Sequence, residues 1–215
     1  MSTTVVITDT FPSKSKLVYK SSAVWATARS AAAADAVDAS IQAGAIAAYV
    51  IYRSGLIFDT SGIPSTAVVS AAKLQMYVQT LLNVGGGTHN VRITNGQPTY
   101  PHDPIVVGDY DMTNYAGGGG DHDFRLDGTG AYIDWPLNAT GISWLNLGGS
   151  TKFFLRNVER DINDSAPGND QKVYFTDGTA GKEPKLEITY TLSAAREPIM
   201  KRPLIQSPTR VRPLG

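Results

Sequence analysis

Pro184-Lys185-Leu186-Glu187-Ile188-Thr189-Tyr190-Thr191-Leu192 decides the fold. Leu186, Ile188, Tyr190 and Leu192 fall on one face, and Lys185, Glu187, Thr189 and Thr191 on the other. Side chains alternate across a strand with a period of two, so this stretch reads as a half-buried antiparallel strand with a solvated back. Working outward from it, Lys73 to Gln79 repeats the pattern, with Leu74, Met76 and Val78 inward. Val173 and Phe175 do the same between Lys172 and Thr176. Ala48 to Phe58 is apolar on both faces, as a central strand is, and Thr151 to Val158 is similar.

Turn residues punctuate these runs at strand-like intervals: Thr60 to Pro64, Asn83 to Gly87, Gly117 to Gly120, Asp127-Gly128, Gly148-Gly149 and Asp177-Gly178. About ten short strands so spaced indicate an all-β antiparallel sandwich. Two short helical turns are expected beside it. One lies near Ser22 to Arg29 with Val24 and Trp25 inward, the other at Ala139 to Leu145 with Trp144 under a sheet edge. A small-residue strand is expected near Val37 to Ile41.

The 215 residues carry 19 basic and 19 acidic side chains, with 42% hydrophobic residues and no Cys. That composition supports a folded core and excludes a disulfide scaffold, a thiol nucleophile and any thiolate metal site. Three His leave little room for a histidine-rich centre. The first residues show neither a basic region nor an apolar run of the kind that opens a Sec signal peptide. No window approaches 18 consecutive apolar residues, so no membrane span is expected.

The neutral total hides a division of charge. From Ser193 the chain reads SAAREPIMKRPLIQSPTRVRPLG, with Pro198, Pro203, Pro208 and Pro213 spaced by five. This segment holds five basic residues and one acidic, leaving 14 basic and 18 acidic residues over 1–192. It reads as an extended arm, residues 193–215, on a sandwich domain spanning residues 1–192. Arg202-Pro203-Leu204 recurs as Arg212-Pro213-Leu214. Arg196, Ile199, Met200, Arg202, Leu204, Ile205, Arg210, Arg212 and Leu214 are therefore the candidate residues of an arm that docks on a neighbouring subunit.

The order of segments resembles that of DNRLRE-type jelly-roll domains. Tyr52-Arg53-Ser54-Gly55-Leu56-Ile57-Phe58-Asp59 leads through Thr60-Ser61-Gly62-Ile63-Pro64 into Ala67 to Leu74, as an arginine-bearing strand, Phe-Asp, an Ile-Pro turn and an Ala-x-Leu strand do in that family. Leu137 to Trp144, Thr151 to Ile162 and the closing Pro184-x-Leu186-x-Ile188-x-Tyr190 strand continue the likeness. The string that names the family is absent; Phe154-Leu155-Arg156-Asn157 stands nearest to it. The resemblance implies a jelly-roll β-sandwich without catalytic activity, of a kind found in surface proteins, glycan-binding modules and phage structural proteins. For this chain it implies a virion component made in host cytoplasm, whose partners are other virion subunits or copies of itself, with a surface glycan as the alternative ligand.

Several residues are candidates for chemistry. Tyr100, Tyr110 and Tyr115 flank Gly-rich loops, where exposed rings can stack on sugars. Asp109, Asp111, Asp121 and Asp123 are candidate oxygen ligands for a structural Ca²⁺, as are Asp161, Asn163 and Asp164, with loop capping as the alternative. No catalytic residues are expected: the carboxylates crowd near glycines and strand ends, and the three His have neither a serine elbow nor an HExxH string beside them. The arm's excess charge is modest for nucleic-acid binding, which is not expected.

Overall fold

A computed structural model describes residues 1–9, 14–83, 86–176 and 179–192. The arm over 193–215, with all nine docking residues assigned to it, lies outside the described residues, as does the turn at Asp177-Gly178. The described chain is mostly antiparallel strand, in two sheets. Strands are numbered in chain order. One sheet runs β1 (Ser2–Thr8), β13 (Lys185–Leu192), β6 (Ala67–Val78), β10 (Ala131–Pro136). The other runs β7 (Thr80–Asn83), β12 (Gln171–Thr176), β4 (Ile41–Ile46), β5 (Val50–Asp59), β11 (Ser150–Asn157), β8 (Asn90–Thr94), β9 (Asp121–Asp123). To this second sheet β2 (Lys16–Ser21) adds through β5, and β3 (Ala36–Asp38) through β2. Two short helices, α1 (Trp25–Ser30) and α2 (Ala139–Ser143), connect strands, and among the described residues no helix is long and apolar enough to cross a membrane.

The period-two faces meet in one core. Leu74, Met76, Val78, Trp135, Leu186 and Ile188 of the first sheet pack against Leu56, Phe58, Ile93, Phe153, Leu155, Val173 and Phe175 of the second. A second cluster lies on the other face of the second sheet. Phe154 belongs to it while its neighbours Phe153 and Leu155 belong to the first, because successive side chains leave a strand on opposite sides. There Val18, Ile51, Ile57 and Phe154 are covered by Trp25 and Ala28 of α1 and by Ile105, Tyr110 and Tyr115 of the long β8–β9 connection. A covering layer explains why β5 is apolar on both faces. In β4, Gly44 has φ +144°, and a Cβ there would meet the Gln171 carbonyl oxygen at 2.2 Å, so β12 can lie this close only over glycine.

Some expected details differ. The first helix begins at Trp25, which is buried, whereas Val24 has extended backbone ahead of it and is 56% exposed rather than inward. The small-residue strand near Val37 to Ile41 is two strands, β3 and β4. Leu192, expected inward with Leu186, lies at the exposed end of β13, beyond a register shift at Thr189/Tyr190.

A buried ion cluster ties the covering layer to the sheet. Arg53 of β5 donates to both Asp161 oxygens, at 2.8 Å through Nε and 2.6 Å through Nη2, and Arg156 of β11 donates to the same pair at 2.9 and 3.1 Å. The rest of the Arg53 fork donates to the backbone carbonyls of Tyr110 and Arg29, and its Cζ lies 4.0 Å from the centre of the Tyr110 ring. Tyr110 Oη in turn donates to the Ala28 carbonyl at 2.7 Å. Burial alone would raise the Asp161 carboxyl, but the two guanidiniums outweigh it and hold it well below the usual carboxylate range. Asp161→Asn leaves two buried guanidiniums without their counter-charge, and is expected to cost about 3–5 kcal/mol in urea unfolding.

His89, at the start of the core beside Phe124, gives a pH signature. Burial pushes its imidazolium from 6.5 down to about 4, with the Asp123 carboxylate offsetting only part of that. The unfolded chain therefore takes up this proton at higher pH than the folded chain does, and stability falls as pH drops through that window. The expected loss attributable to His89 between pH 7 and 4 is about 3 kcal/mol, and His89→Gln should remove that part of the slope in denaturant titrations.

Candidate functional site

A cleft of about 470 Å³ opens where the segment after β8 faces the connection from α2 to β11. Asn95, Gln97 and Pro98 form one wall, and Trp144, Asn146 and Lys152 the other. Each wall is fixed by local chemistry. Asn95 exchanges backbone hydrogen bonds with Ala116 at 3.0 Å, and its Oδ1 accepts from the Gln97 N–H. Gln97 Nε2 donates across the cleft to the Trp144 carbonyl at 3.0 Å. Lys152 Nζ donates to the Pro101 carbonyl at 2.9 Å and the Pro98 carbonyl at 3.4 Å, so this cation serves to pin the loop.

Trp144 owes its position to the glycine run 117–120. Gly119 N–H donates to the Ile93 carbonyl and Ile93 N–H to the Gly120 carbonyl, which lays the run along β8. Asn138 caps α2 by accepting from Gly141 N–H and holds the run through its Nδ2 on the Gly118 carbonyl. A Cβ on Gly119 would come within 2.5 Å of the indole, and one on Gly117 within 2.8 Å. The backbone can thus lie against the ring only because these positions carry no side chain. Trp144, expected under a sheet edge, is half-buried: it packs on the core edge and also lines the cleft.

The three candidate tyrosines gather elsewhere. Tyr110 and Tyr115 are buried in the second core, where Tyr115 stacks on Phe154 with centroids 3.8 Å apart, so neither ring presents a face to a sugar. Burial pushes both phenol pKa values up. Tyr100 is half-buried and packs edge-on against His102 and Tyr115.

The candidate calcium ligands do not converge. Asp109 is buried and accepts from the N–H groups of His102 and Val106 at 2.9 and 2.8 Å. Asp111 caps its own turn through Thr113. Asp121 pairs with Arg92 through two 2.7 Å contacts, and Asp123 pairs with Arg125, which draws its carboxyl down to about 2. Asp161 is taken by Arg53 and Arg156, and Asp164 by Trp25 Nε1 and Arg29. Among the described residues no three His, Asp or Glu side chains are grouped as a metal ion would require.

Sequence reasoning missed the ion cluster and the cleft. A charged residue, Arg53, inside a run apolar on both faces was the signal for the first; the glycine run ahead of Trp144 was the signal for the second. The chain matches no protein-family model and no curated protein.

Proposed function

We propose that this chain is a structural protein of a virion, without catalytic activity: a jelly-roll body joined to neighbouring subunits by its C-terminal arm, serving as capsid decoration, head fibre or tail component. The observation that carries the reading is the division of charge, with five basic residues and one acidic over 193–215 against 14 basic and 18 acidic over 1–192. An arm of one sign and a body of the other attract between copies and speed their encounter. Ile199, Met200, Leu204, Ile205 and Leu214 supply apolar surface to bury, and the prolines reduce the entropy lost when the arm orders.

The jelly-roll reading is supported by how the chain alternates between sheets. Taken in order, β1, β5, β6, β8, β9, β10, β11 and β13 change sheet at every step except from β8 to β9. Two Greek keys folded over one another require that alternation, with the remaining strands as additions at the rims. The body's carboxylates also suit a structural part, since the candidates named above are engaged by guanidiniums or backbone N–H groups. A chain lacking 193–215 is expected to melt as the full chain does and to fail to sediment with assembled particles. Incorporation that survives the deletion overturns the reading.

The cleft favours a second reading, a module that binds a surface glycan. Its lining of one indole, apolar Pro98 and Leu145, neutral amides and hydroxyls, with no carboxylate and with its one cation, Lys152, held on the Pro98 and Pro101 carbonyls, matches the C–H faces and hydroxyl edges of a saccharide. Titration with a panel of neutral oligosaccharides is expected to give a saturable change in tryptophan fluorescence. Trp144→Ala should abolish it, and Gly119→Ala should weaken it by displacing the indole. A panel without any saturable response removes this reading and leaves the first untouched.

A further inference from the structure

Among the described residues the two sheets end in five edges, and four of them are guarded. β3 and β9 have three residues each, and both carry Asp. β7 has four residues. β10 carries Asp134 and closes on Pro136, which has no N–H to donate. Short length, charge and proline are the ordinary means by which an edge is kept from pairing with another chain. β1 has none of them. It is seven residues long, Ser2-Thr3-Thr4-Val5-Val6-Ile7-Thr8, uncharged and rich in β-branched side chains. It pairs with β13 in unbroken register over its whole length, and among the described residues no strand pairs with its other edge.

We infer that β1 is a homotypic docking edge, at which two copies of this chain join by antiparallel β1–β1 pairing about a two-fold axis at Val5. In this register Ser2 pairs with Thr8, Thr3 with Ile7 and Thr4 with Val6 of the other copy. Each pair sums to an even number, so every residue keeps its face, and a one-residue slip would turn Val5 and Ile7 out of the core they pack against. Val6, 50% exposed, then lies against Thr4 of the other copy on the outer face. Backbone groups that face outward from β1 gain partners, and the two four-stranded sheets become one of eight.

The chemistry of the edge selects this occupant. Asp9 N–H donates to the Pro184 carbonyl, so the odd-numbered residues of this strand face β13 and a second β1 offers Ser2, Thr4, Val6 and Thr8 to the edge, each able to donate and accept. In the chain's own arm the prolines from Pro198 to Pro213 are five apart, so successive ones turn to opposite edges of an extended strand and any stretch holding two of them lacks a donor on the pairing side. An edge of another copy other than β1 brings only three or four residues, or the Asp134 and Pro136 of β10.

The test is the native mass of the full chain by sedimentation equilibrium. A dimer is expected, with a Kd raised at least 100-fold by Val6→Lys and unchanged by Val68→Lys, a residue 57% exposed on β6 of the same sheet. Equal melting temperatures for the two variants would separate a lost contact from a lost fold. Because the chain has no Cys, register can be read independently: Thr4→Cys and Val6→Cys proteins, mixed and oxidised, should cross-link to each other in preference to themselves. A monomer at 100-fold above the concentrations used for the variants overturns the proposal. So does a dimer that survives Val6→Lys, or one that is lost on removing 193–215 while Val6→Lys leaves it intact.

Discussion

One buried ion cluster, Arg53 and Arg156 on the Asp161 carboxylate, holds together parts of the chain that no hydrogen-bonded ladder joins. Asp161 is 1% exposed and lies between two guanidiniums, one from β5 and one from β11. The same Arg53 reaches the carbonyls of Arg29 and Tyr110, so α1 and the β8–β9 connection are fastened to the sheet by charge-assisted bonds. A loop layer cannot pair its backbone with a sheet face. It must bury apolar side chains there and find separate partners for its carbonyls. Arg53 supplies those partners, and the second core around Ile57, Phe154, Tyr110 and Tyr115 follows from it.

This also divides the molecule's two outer faces. The first sheet leaves Thr4, Val6, Val68 and Ser70 in water, with Lys73, Glu187 and Asp134 linked across its strands. Exposed pairs of that kind contribute at most about 1 kcal/mol each and chiefly keep the face polar. The second sheet is covered, and its covering layer forms the wall of the cleft through Gln97 and Pro98. The two recognition features proposed above thus sit where the sandwich ends: at a strand edge that no described strand covers on one side and at the margin of the loop layer on the other.

Strands were legible because their signal is local. Leu74, Met76 and Val78, or Leu186, Ile188 and Tyr190, report burial through a spacing of two that needs no knowledge of the partner strand. The ion cluster was not legible, since Arg53 and Asp161 are 108 residues apart and a lone aspartate near Asn and Gly reads as a turn former. Tyr110 and Tyr115 misled for a related reason. Their segment has the composition of a loop, yet it folds back as a second layer, and rings that composition assigns to the surface become core. The glycine run 117–120 was read as a turn, whereas hydrogen bonds to Ile93 lay it along β8, and its close fit to Trp144 depends on a contact that sequence does not display.

The chain leaves the described body from β13, which is flanked on both sides, by β1 and by β6. A pull on the segment after Leu192, along the strand, does not peel bonds one after another as it would from a free edge. It loads the two ladders in shear, so many hydrogen bonds resist together and the mechanical strength of the body is drawn from its middle. Tension entering after Leu192 therefore meets the resistance of both ladders at once before it can unravel the sandwich.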